Sequence, residues 1–328
     1  MAKVTLESIA AKMGVSTVAV FKALNDQKGV SEELRKKIKA YTKSVGYVNK
    51  SSRFGISKKR FLFFINQDFF LTPSEQFYST IFYFLSTECN QANSILQVSF
   101  VEPEHTLEKL KSAIAAFDPD GIFFAYEVGS DILGYFESLS IPTVVIDYFS
   151  PIYSCNYVYV DNYQVSYMLT KYLISKGHTK IGFVGDIRKT SAVADRYFGY
   201  VKALKESNLP VVDEWHINEN IERSKDMIAL PTTGMPTAFV CHCDSAAQRL
   251  YTMVTMKGLK IPEDVSIISF DNTSLCDSLM PKLTSVGPHK DTYAKKAFAV
   301  MVEALKNKHT NVQIKSHLVE RDSITTIV

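Results

Sequence analysis

The chain has 328 residues, 46% hydrophobic and 22% charged, so it can bury a sizeable core in more than one domain. No apolar run reaches the roughly 18 residues of a membrane span, and residues 1–6 lack the apolar stretch of an export signal. Five scattered cysteines argue against a disulfide framework and fit reduced thiols, so we expect a cytoplasmic protein.

The overall charge of +3 conceals an asymmetry. Residues 1–60 contain 14 Lys and Arg but 4 Asp and Glu, whereas the rest of the chain contains 23 basic and 30 acidic residues. A basic head on an acidic body is typical of a protein whose head alone contacts a polyanion.

Two short helical patterns open the head. Apolar residues recur at helical spacing over 6–13, Gly14 permits a sharp turn, and Ser16 is a suitable N-cap for a second helix over 17–24. A third apolar stripe follows Ser31 and closes a three-helix unit. In the second helix the side chains expected to face inward are Ala19, Val20, Ala23 and Leu24. Those expected to face outward are Thr17, Val18, Phe21 and Lys22.

From residue 61 onward, short apolar runs alternate with longer helical segments, which predicts parallel sheets with helices on both faces, in one sheet or two. The predicted strands are 61–66, 95–101, 121–126, 143–147, 180–184, 237–241, 265–270 and, less regularly, 313–319. The predicted helices are 74–91, 106–117, 165–176, 197–207, 245–257 and 292–307.

Ligands of such sheets bind beyond the carboxyl ends of the strands. The segments that follow the predicted strand ends are 66–70, 126–127, 147–148, 185–188, 242–244 and 271–272. Asp147 and Asp271 each place a carboxylate there, although such aspartates also cap helices. Arg196 opens the predicted helix 197–207, where a positive charge is unfavourable because it opposes the helix dipole. We therefore expect the guanidinium to have a partner, which is either a ligand or the carboxylate of Asp195 in a salt bridge.

Two other features allow more than one interpretation. Phe69, Phe70, Phe77 and Tyr78 follow the first strand, and most of these rings fit core packing, although one or two could stack on a ligand ring. The pattern Cys241-His-Cys243 resembles half of a metal site, but no second pair of ligands lies nearby, which favours a buried strand end over metal binding. We therefore expect neither a metal nor a cofactor. Walker A, His-Glu-x-x-His, Gly-x-Ser-x-Gly and dinucleotide-binding patterns are absent from the sequence, which argues against an enzyme.

Taken in order along the chain, these residues resemble the LacI/GalR family of bacterial transcription regulators. The matching segments are VTLESIA at 4–10, GVSTVAVFKALN at 14–25, VSEELRKKI at 30–38, GY at 46–47, VDN at 160–162, LISKGHTKIGFVG at 173–185, RYFGYVKAL at 196–204, PTAF at 236–239, IPEDVSIISFDN at 261–272, PKLTSV at 281–286 and LVERDS at 318–323.

The resemblance implies an α/β protein with an all-α helix-turn-helix head and a two-lobed body like that of a periplasmic binding protein. The implied boundaries are 1–48 for the DNA-binding domain, 49–60 for the hinge or linker and 61–328 for the effector-binding and dimerisation domain. Within that body, lobe 1 covers about 61–160 and 288–318, and lobe 2 covers about 161–287 and 319–328.

The resemblance also implies where DNA binds. Lys22 can donate to guanine, whereas Thr17 and Val18 offer methyl contacts with thymine or a single hydroxyl bond. Phe21 replaces the small polar residue usual in the family and can pack against a sugar edge or a thymine methyl. The full set of implied DNA-binding residues is Thr5, Ser16, Thr17, Val18, Phe21, Lys22, Asn25 and Ile56.

The linker departs from the family pattern. Ile56 stands at the position of a leucine that wedges into the minor groove, where it can still act as an apolar wedge. Gly55 costs a hinge helix about 1 kcal/mol relative to alanine. We expect a DNA-induced hinge helix; without it, coupling between effector and DNA would be weaker.

For the body, the resemblance implies an effector between the lobes, most often a sugar or sugar phosphate, bound by Phe77, Asp147, Arg196, Cys243 and Asp271. Cys243 replaces an asparagine found in several family members, so the ligand or its pose is expected to differ. The expected partners are operator DNA, the effector and a second copy of the chain, with no membrane. The alternatives are a body that recognises a protein partner and, less well supported, a solute-binding transport receptor.

Overall fold

A computed structural model describes residues 5–24, 28–45, 47, 58–71, 76–101, 107–218, 230–231 and 234–327. Its first three helices are α1 (Leu6–Met13), α2 (Thr17–Leu24) and α3 (Glu32–Ser44). The Thr5 side chain caps α1, Gly14 ends it with a φ of 64°, and the Ser16 hydroxyl accepts a hydrogen bond from the Ala19 amide at 3.1 Å. The three predicted helices of the head are therefore confirmed.

Two six-stranded sheets form the body. The first has the strand order β11-β5-β4-β3-β1-β2 and is parallel throughout. The second has the order β12-β10-β9-β8-β6-β7, in which only β12 runs antiparallel to its neighbour. The strands are β1 (Arg60–Asn66), β2 (Ile95–Val101), β3 (Gly121–Ala125), β4 (Thr143–Ile146), β5 (Asn156–Tyr159), β6 (Ile181–Val184), β7 (His216–Ile217), β8 (Ala238–Cys241), β9 (Ser266–Phe270), β10 (Thr284–Gly287), β11 (Asn311–Gln313) and β12 (His317–Val319).

Helices cover both faces of each sheet, and four apolar clusters fill the layers between them. The helices are α4 (Asp68–Leu71), α5 (Gln76–Gln91), α6 (Leu107–Phe117), α7 (Ser130–Ser138), α8 (Asn162–Ser175), α9 (Ser191–Glu206), α10 (Asp244–Met256), α11 (Leu275–Ser278) and α12 (Lys290–Ala304). Within the described ranges, none of the helices is both long and apolar enough to cross a bilayer.

Each sheet with its helices is called a lobe below. The chain passes between the lobes near residues 160, 288 and 315, because β5 and β11 belong to the first sheet while β10 and β12 belong to the second. The domain boundaries given above stay a prediction.

Two sequence expectations were wrong. The predicted strand 313–319 is two strands in different sheets, because the chain crosses from one lobe to the other inside it. Helix α9 begins at Ser191, six residues before the predicted start, because Thr190 caps it with a 3.1 Å hydrogen bond to the Val193 amide. Arg196 therefore does not open its helix, and the helix-dipole argument for that residue does not hold.

Candidate functional site

A cleft with an empty volume of about 660 Å³ opens between the lobes. Its walls come from residues that follow β3, β4, β8 and β9, together with α4, α5 and the first turns of α9, which is the position expected for a ligand of parallel sheets. The lining residues are Phe69, Phe77, Tyr78, Tyr126, Glu127, Asp147, Tyr148, Lys189, Thr190, Ser191, Ala192, Val193, Arg196, His242, Cys243 and Asp271. The five predicted effector-binding residues are thus brought together in one cleft.

The wall of the first lobe is aromatic. The rings of Phe69 and Tyr126 stack with centroids 4.2 Å apart, and Tyr78 meets Phe77 edge to face at 5.1 Å. Phe70, by contrast, packs in the core of the first lobe. Three of the four aromatic residues singled out after the first strand, Phe69, Phe77 and Tyr78, therefore line the cleft.

Asp147 supplies a carboxylate to this aromatic wall. It follows β4 with a φ of 64°, and the Tyr78 hydroxyl donates to its Oδ2 at 2.7 Å. Burial raises the pKa of Asp147, while the Arg196 cation and the Tyr78 hydrogen bond oppose that rise. The net result is a raised pKa for Asp147, and Arg196 and Tyr78 are the neighbours that favour its ionised form.

Arg196 lies in the opposite wall, on α9, and is buried. Its Nε donates to Asn162 Oδ1 at 2.8 Å, one terminal nitrogen donates to the carbonyl oxygen of His242, and the other lies 3.6 Å from Asp271 Oδ1. The partner of its charge is therefore the cleft carboxylate Asp271, and not the adjacent Asp195. A planar guanidinium fixed in this way presents a defined edge to a ligand.

Asp271 follows β9 with a φ of 94°. Burial raises its pKa to about 7, and the nearby Asp244 and Asp147 charges add to the rise, whereas Arg196 and Lys290 oppose it. The Lys290 ammonium donates to the backbone carbonyl oxygens of Asp271 and Asn272, the latter at 2.7 Å. Asp271 is consequently a group whose protonation changes near neutral pH.

Cys243 forms the end of the cleft at the N-cap of α10. Its Sγ lies 3.5 Å from Nε2 of His242 and 3.1 Å from the Ser245 hydroxyl. In the part of the chain that the structure describes, no group of three or more His, Cys, Asp or Glu residues could hold a metal ion.

The start of α9 contributes to the cleft in a way that the sequence did not predict. Residues 189–193 line the cleft, and the Ser191 amide donates to Oε2 of Glu127 at 2.6 Å. This bond joins the lobes, because Glu127 follows β3 and Ser191 begins α9. The sequence identified the segment that contains Glu127 as a strand end. The hydrogen bond to Ser191 could not be predicted, because the predicted start of α9 lay six residues too late.

On the head, the outer side of α2 carries exposed Thr17, Val18 and Phe21, while Val20 and Ala23 are fully buried, as the predicted pattern requires. Lys22 is half-buried, and its Nζ lies 3.5 Å from the position that a Cβ would occupy on Gly29.

Two of the implied DNA-binding residues, Thr5 and Ser16, are exposed caps of α1 and α2. Asn25 and Ile56 lie outside the described residues.

Comparisons with known proteins support one family. A sequence model of the periplasmic binding protein-like domain matches residues 170–324. The HTH-type transcriptional repressor PurR of Pectobacterium atrosepticum is 26% identical over 98% of this chain and 96% of its own length. PurR of Vibrio vulnificus is 34% identical over 57% of this chain, a match that spans 58% of the relative's own length.

Solved structures agree on the fold of the whole chain. The transcriptional regulator CelR in complex with cellobiose aligns with 98% of this chain and all of its own, with a TM-score of 0.67 and 20% identity. The lac repressor dimer bound to operator and an anti-inducer aligns with 99% of this chain and all of its own, with a TM-score of 0.69 and 18% identity. The chain is thus similar, over nearly its whole length, to transcription repressors of the LacI/GalR type.

Proposed function

We propose that this protein represses transcription by binding an operator as a homodimer, and that a neutral carbohydrate in the cleft changes its affinity for DNA. The observation that carries the proposal is the composition of the cleft, where an aromatic wall faces a wall of buried charged and polar groups. A sugar ring has both an apolar face and a rim of hydroxyls, so it complements both walls at once.

The charges of the cleft favour a neutral sugar over a sugar phosphate. Three acidic side chains line it, those of Glu127, Asp147 and Asp271, beside the two cations of Lys189 and Arg196, so the cleft has no excess of positive charge even when Asp271 is protonated. A phosphate would favour the first amides of α9, where a helix N-terminus attracts anions. The Glu127 carboxylate already accepts the Ser191 amide at that point.

The roles of the individual residues follow from these contacts. Asp147 and Asp271 accept hydrogen bonds from ligand hydroxyls, Arg196 donates to a ring or hydroxyl oxygen, and Phe77 packs against the ring. Cys243 offers only a weak donor and acceptor, so the part of the ligand that faces it has no need of a hydroxyl. A solved relative by fold, the CelR complex, holds cellobiose, which agrees with this class of ligand.

Exposed apolar residues on both lobes support a homodimer. On the first lobe, Ile95 of the edge strand β2 and Tyr83 of α5 are exposed, whereas Leu96, Val98 and Phe100 of β2 pack against the core. Met256 and Met280 are exposed on the second lobe. Exposed apolar side chains, one of them on an edge strand, favour association, so we propose that a second copy covers these residues. The lac repressor dimer, alike in fold, is bound to operator as two copies.

Switching follows from the placement of the ligand. Because the cleft residues belong to both lobes, a bound sugar stabilises one angle between the lobes more than another, and only that difference can change DNA affinity. The proposal includes action in the cytoplasm and no catalysis. A body that recognises a protein partner is less well supported, because a cleft lined from both lobes suits a small molecule.

A thermal-shift screen tests the proposal. Purified protein is heated with neutral mono- and disaccharides, sugar phosphates and purines, since a bound ligand raises the melting temperature by mass action. We expect at least one neutral sugar to raise it in a saturable way. A response to sugar phosphates or purines alone, or to none of the compounds, would contradict the proposed ligand.

A further inference from the structure

The outer side of α2 presents two large apolar side chains to solvent. Val18 is 58% exposed and Phe21 is 43% exposed, whereas Val20 and Ala23 on the inner side are fully buried. Residues three apart on a helix are neighbours on one face, so Val18 and Phe21 form a single apolar pair.

Hydrogen-bonding groups are poorly placed beside this pair. Lys22, the longest polar side chain on α2, is half-buried, and its Nζ lies close to Gly29. Thr17 is exposed but offers only one hydroxyl and one methyl group. The exposed face of α2 is thus dominated by methyl groups and an aromatic ring, and lacks the exposed forked donors that recognise guanine or adenine.

The charge around the pair identifies its occupant. Residues 1–60 carry 14 basic and 4 acidic residues, and Lys12, Lys28 and Lys36 are exposed on the head. A second copy of the same head would bring like charges together, whereas DNA supplies the opposite charge. Within the major groove, the apolar group that bases present is the 5-methyl group of thymine.

We propose that α2 recognises its operator through thymine 5-methyl groups, with Val18 and Phe21 each contacting a thymine in every half-site. This inference rests on the proposed DNA-binding function and adds the chemistry of the bases selected. Lysines of the head then contact DNA phosphates, and these contacts add affinity that does not depend on the base sequence.

Replacing thymine by deoxyuridine tests the inference, because the two bases differ only in that methyl group. Operators are first selected by the full-length protein from a pool of random duplexes, and each thymine of the selected sequence is then replaced in turn. We expect replacement at one or two positions of each half-site to weaken binding about four- to tenfold, and replacement elsewhere to change it less than twofold.

Variants assign each thymine to a side chain. In Val18→Ala the loss caused by deoxyuridine should disappear at one position, and in Phe21→Ala at another, as expected for pairs that interact directly. Lys36→Gln, an exposed site on α3, serves as the matched control: it should weaken binding to every duplex equally and preserve the loss caused by deoxyuridine.

The outcomes separate this inference from the proposed function. If no duplex is enriched, the proposed function itself is overturned. If an operator is enriched but no thymine replacement changes affinity more than twofold, the methyl contacts are overturned and DNA binding stands. If Val18→Ala weakens self-association of the protein but not operator binding, the apolar pair is an interface between copies and the inference is likewise overturned.

Discussion

The two walls of the cleft differ in chemistry. The first lobe contributes the aromatic rings of Phe69, Phe77 and Tyr78, whereas the second contributes buried polar and charged groups such as Arg196 and Asp271. Each wall alone is a poor site, since an aromatic surface gives little orientation and buried charges need partners. Because the two walls differ in this way, we expect high affinity only for a ligand that contacts both lobes at once. Contact with both lobes is also what allows a ligand to control the angle between them.

The largest effect is expected from removing the central cation of the polar wall. Arg196→Ala leaves the buried Asp271 without its ion-pair partner and removes a ligand donor, so affinity for the sugar should fall about a hundredfold or more. The ligand-induced shift in melting temperature should vanish while operator binding persists.

Arg196→Lys is the control for charge. Lysine keeps the positive charge beside Asp271 but lacks the planar guanidinium that donates several hydrogen bonds. Compared with Arg196→Ala, this variant should therefore regain more of the stability of the protein than of its ligand affinity. A normal ligand response in Arg196→Ala would show that the polar wall is not part of the site.

The aromatic wall is tested by a pair of neighbouring residues. Phe69→Ala removes a ring that lines the cleft and should weaken sugar binding about tenfold, measured by calorimetry. Phe70→Leu is the matched control, because Phe70 packs against Phe82 and Phe100 in the core. Phe70→Leu should lower the stability of the protein and leave its ligand affinity within twofold of the wild type. If Phe70→Leu weakened sugar binding and Phe69→Ala did not, the assignment of Phe69 to the cleft would be wrong.

Asp271, in the polar wall, should make the stability of the protein depend on pH. Because the pKa of Asp271 is raised to about 7, the native state keeps a proton that the unfolded chain releases near pH 4. Stability therefore falls as the pH rises from about 4 to 7 and levels off above that. The wild type should lose several degrees of melting temperature relative to Asp271→Asn between pH 5 and 7.5.

Other groups also change protonation in this range; burial, for example, lowers the pKa of His178. Their effect on the melting temperature is the same in the wild type and in Asp271→Asn, so it drops out of the difference between the two proteins. Parallel pH profiles for the wild type and Asp271→Asn would contradict the protonated Asp271.

The smallest effect concerns the bond that joins the walls. Glu127→Gln keeps an acceptor for the Ser191 amide but removes the negative charge, so affinity for a neutral sugar should change about two- to threefold at most. Affinity for the corresponding sugar phosphate should rise instead, because repulsion is relieved and the N-terminus of α9 regains its attraction for anions. Equal changes for both ligands would show that Glu127 does not select against charge.

The sequence predicted the head better than the cleft, for a physical reason. Helix α2 is short and local, so the pattern of Val20 and Ala23 alone determined which side faces out. Most of the longer elements of the body, and the placement of Asp147 and Asp271 at strand ends, were also predicted, whereas β5, β7 and α7 were not. The family resemblance, rather than periodicity, connected those residues with Phe77 and Cys243.

What the sequence did not reveal depends on contacts between distant segments. The start of α9 depends on Thr190 as a cap, which the apolar pattern of the sequence did not indicate. The bonds of Arg196 to Asn162 and to the His242 carbonyl join residues far apart in sequence. The pKa of Asp271 similarly reflects burial between the lobes, which no local pattern reports.

Coupling between the cleft and the head is the central claim, and operator affinity measured with and without ligand tests it most directly. Fluorescence anisotropy of the selected operator duplex is recorded at fixed salt, with and without a saturating concentration of a sugar that raises the melting temperature. We predict a change in the dissociation constant of about five- to 150-fold, the usual range for allosteric coupling. An operator affinity that stays within twofold, although the sugar is bound, would contradict the account.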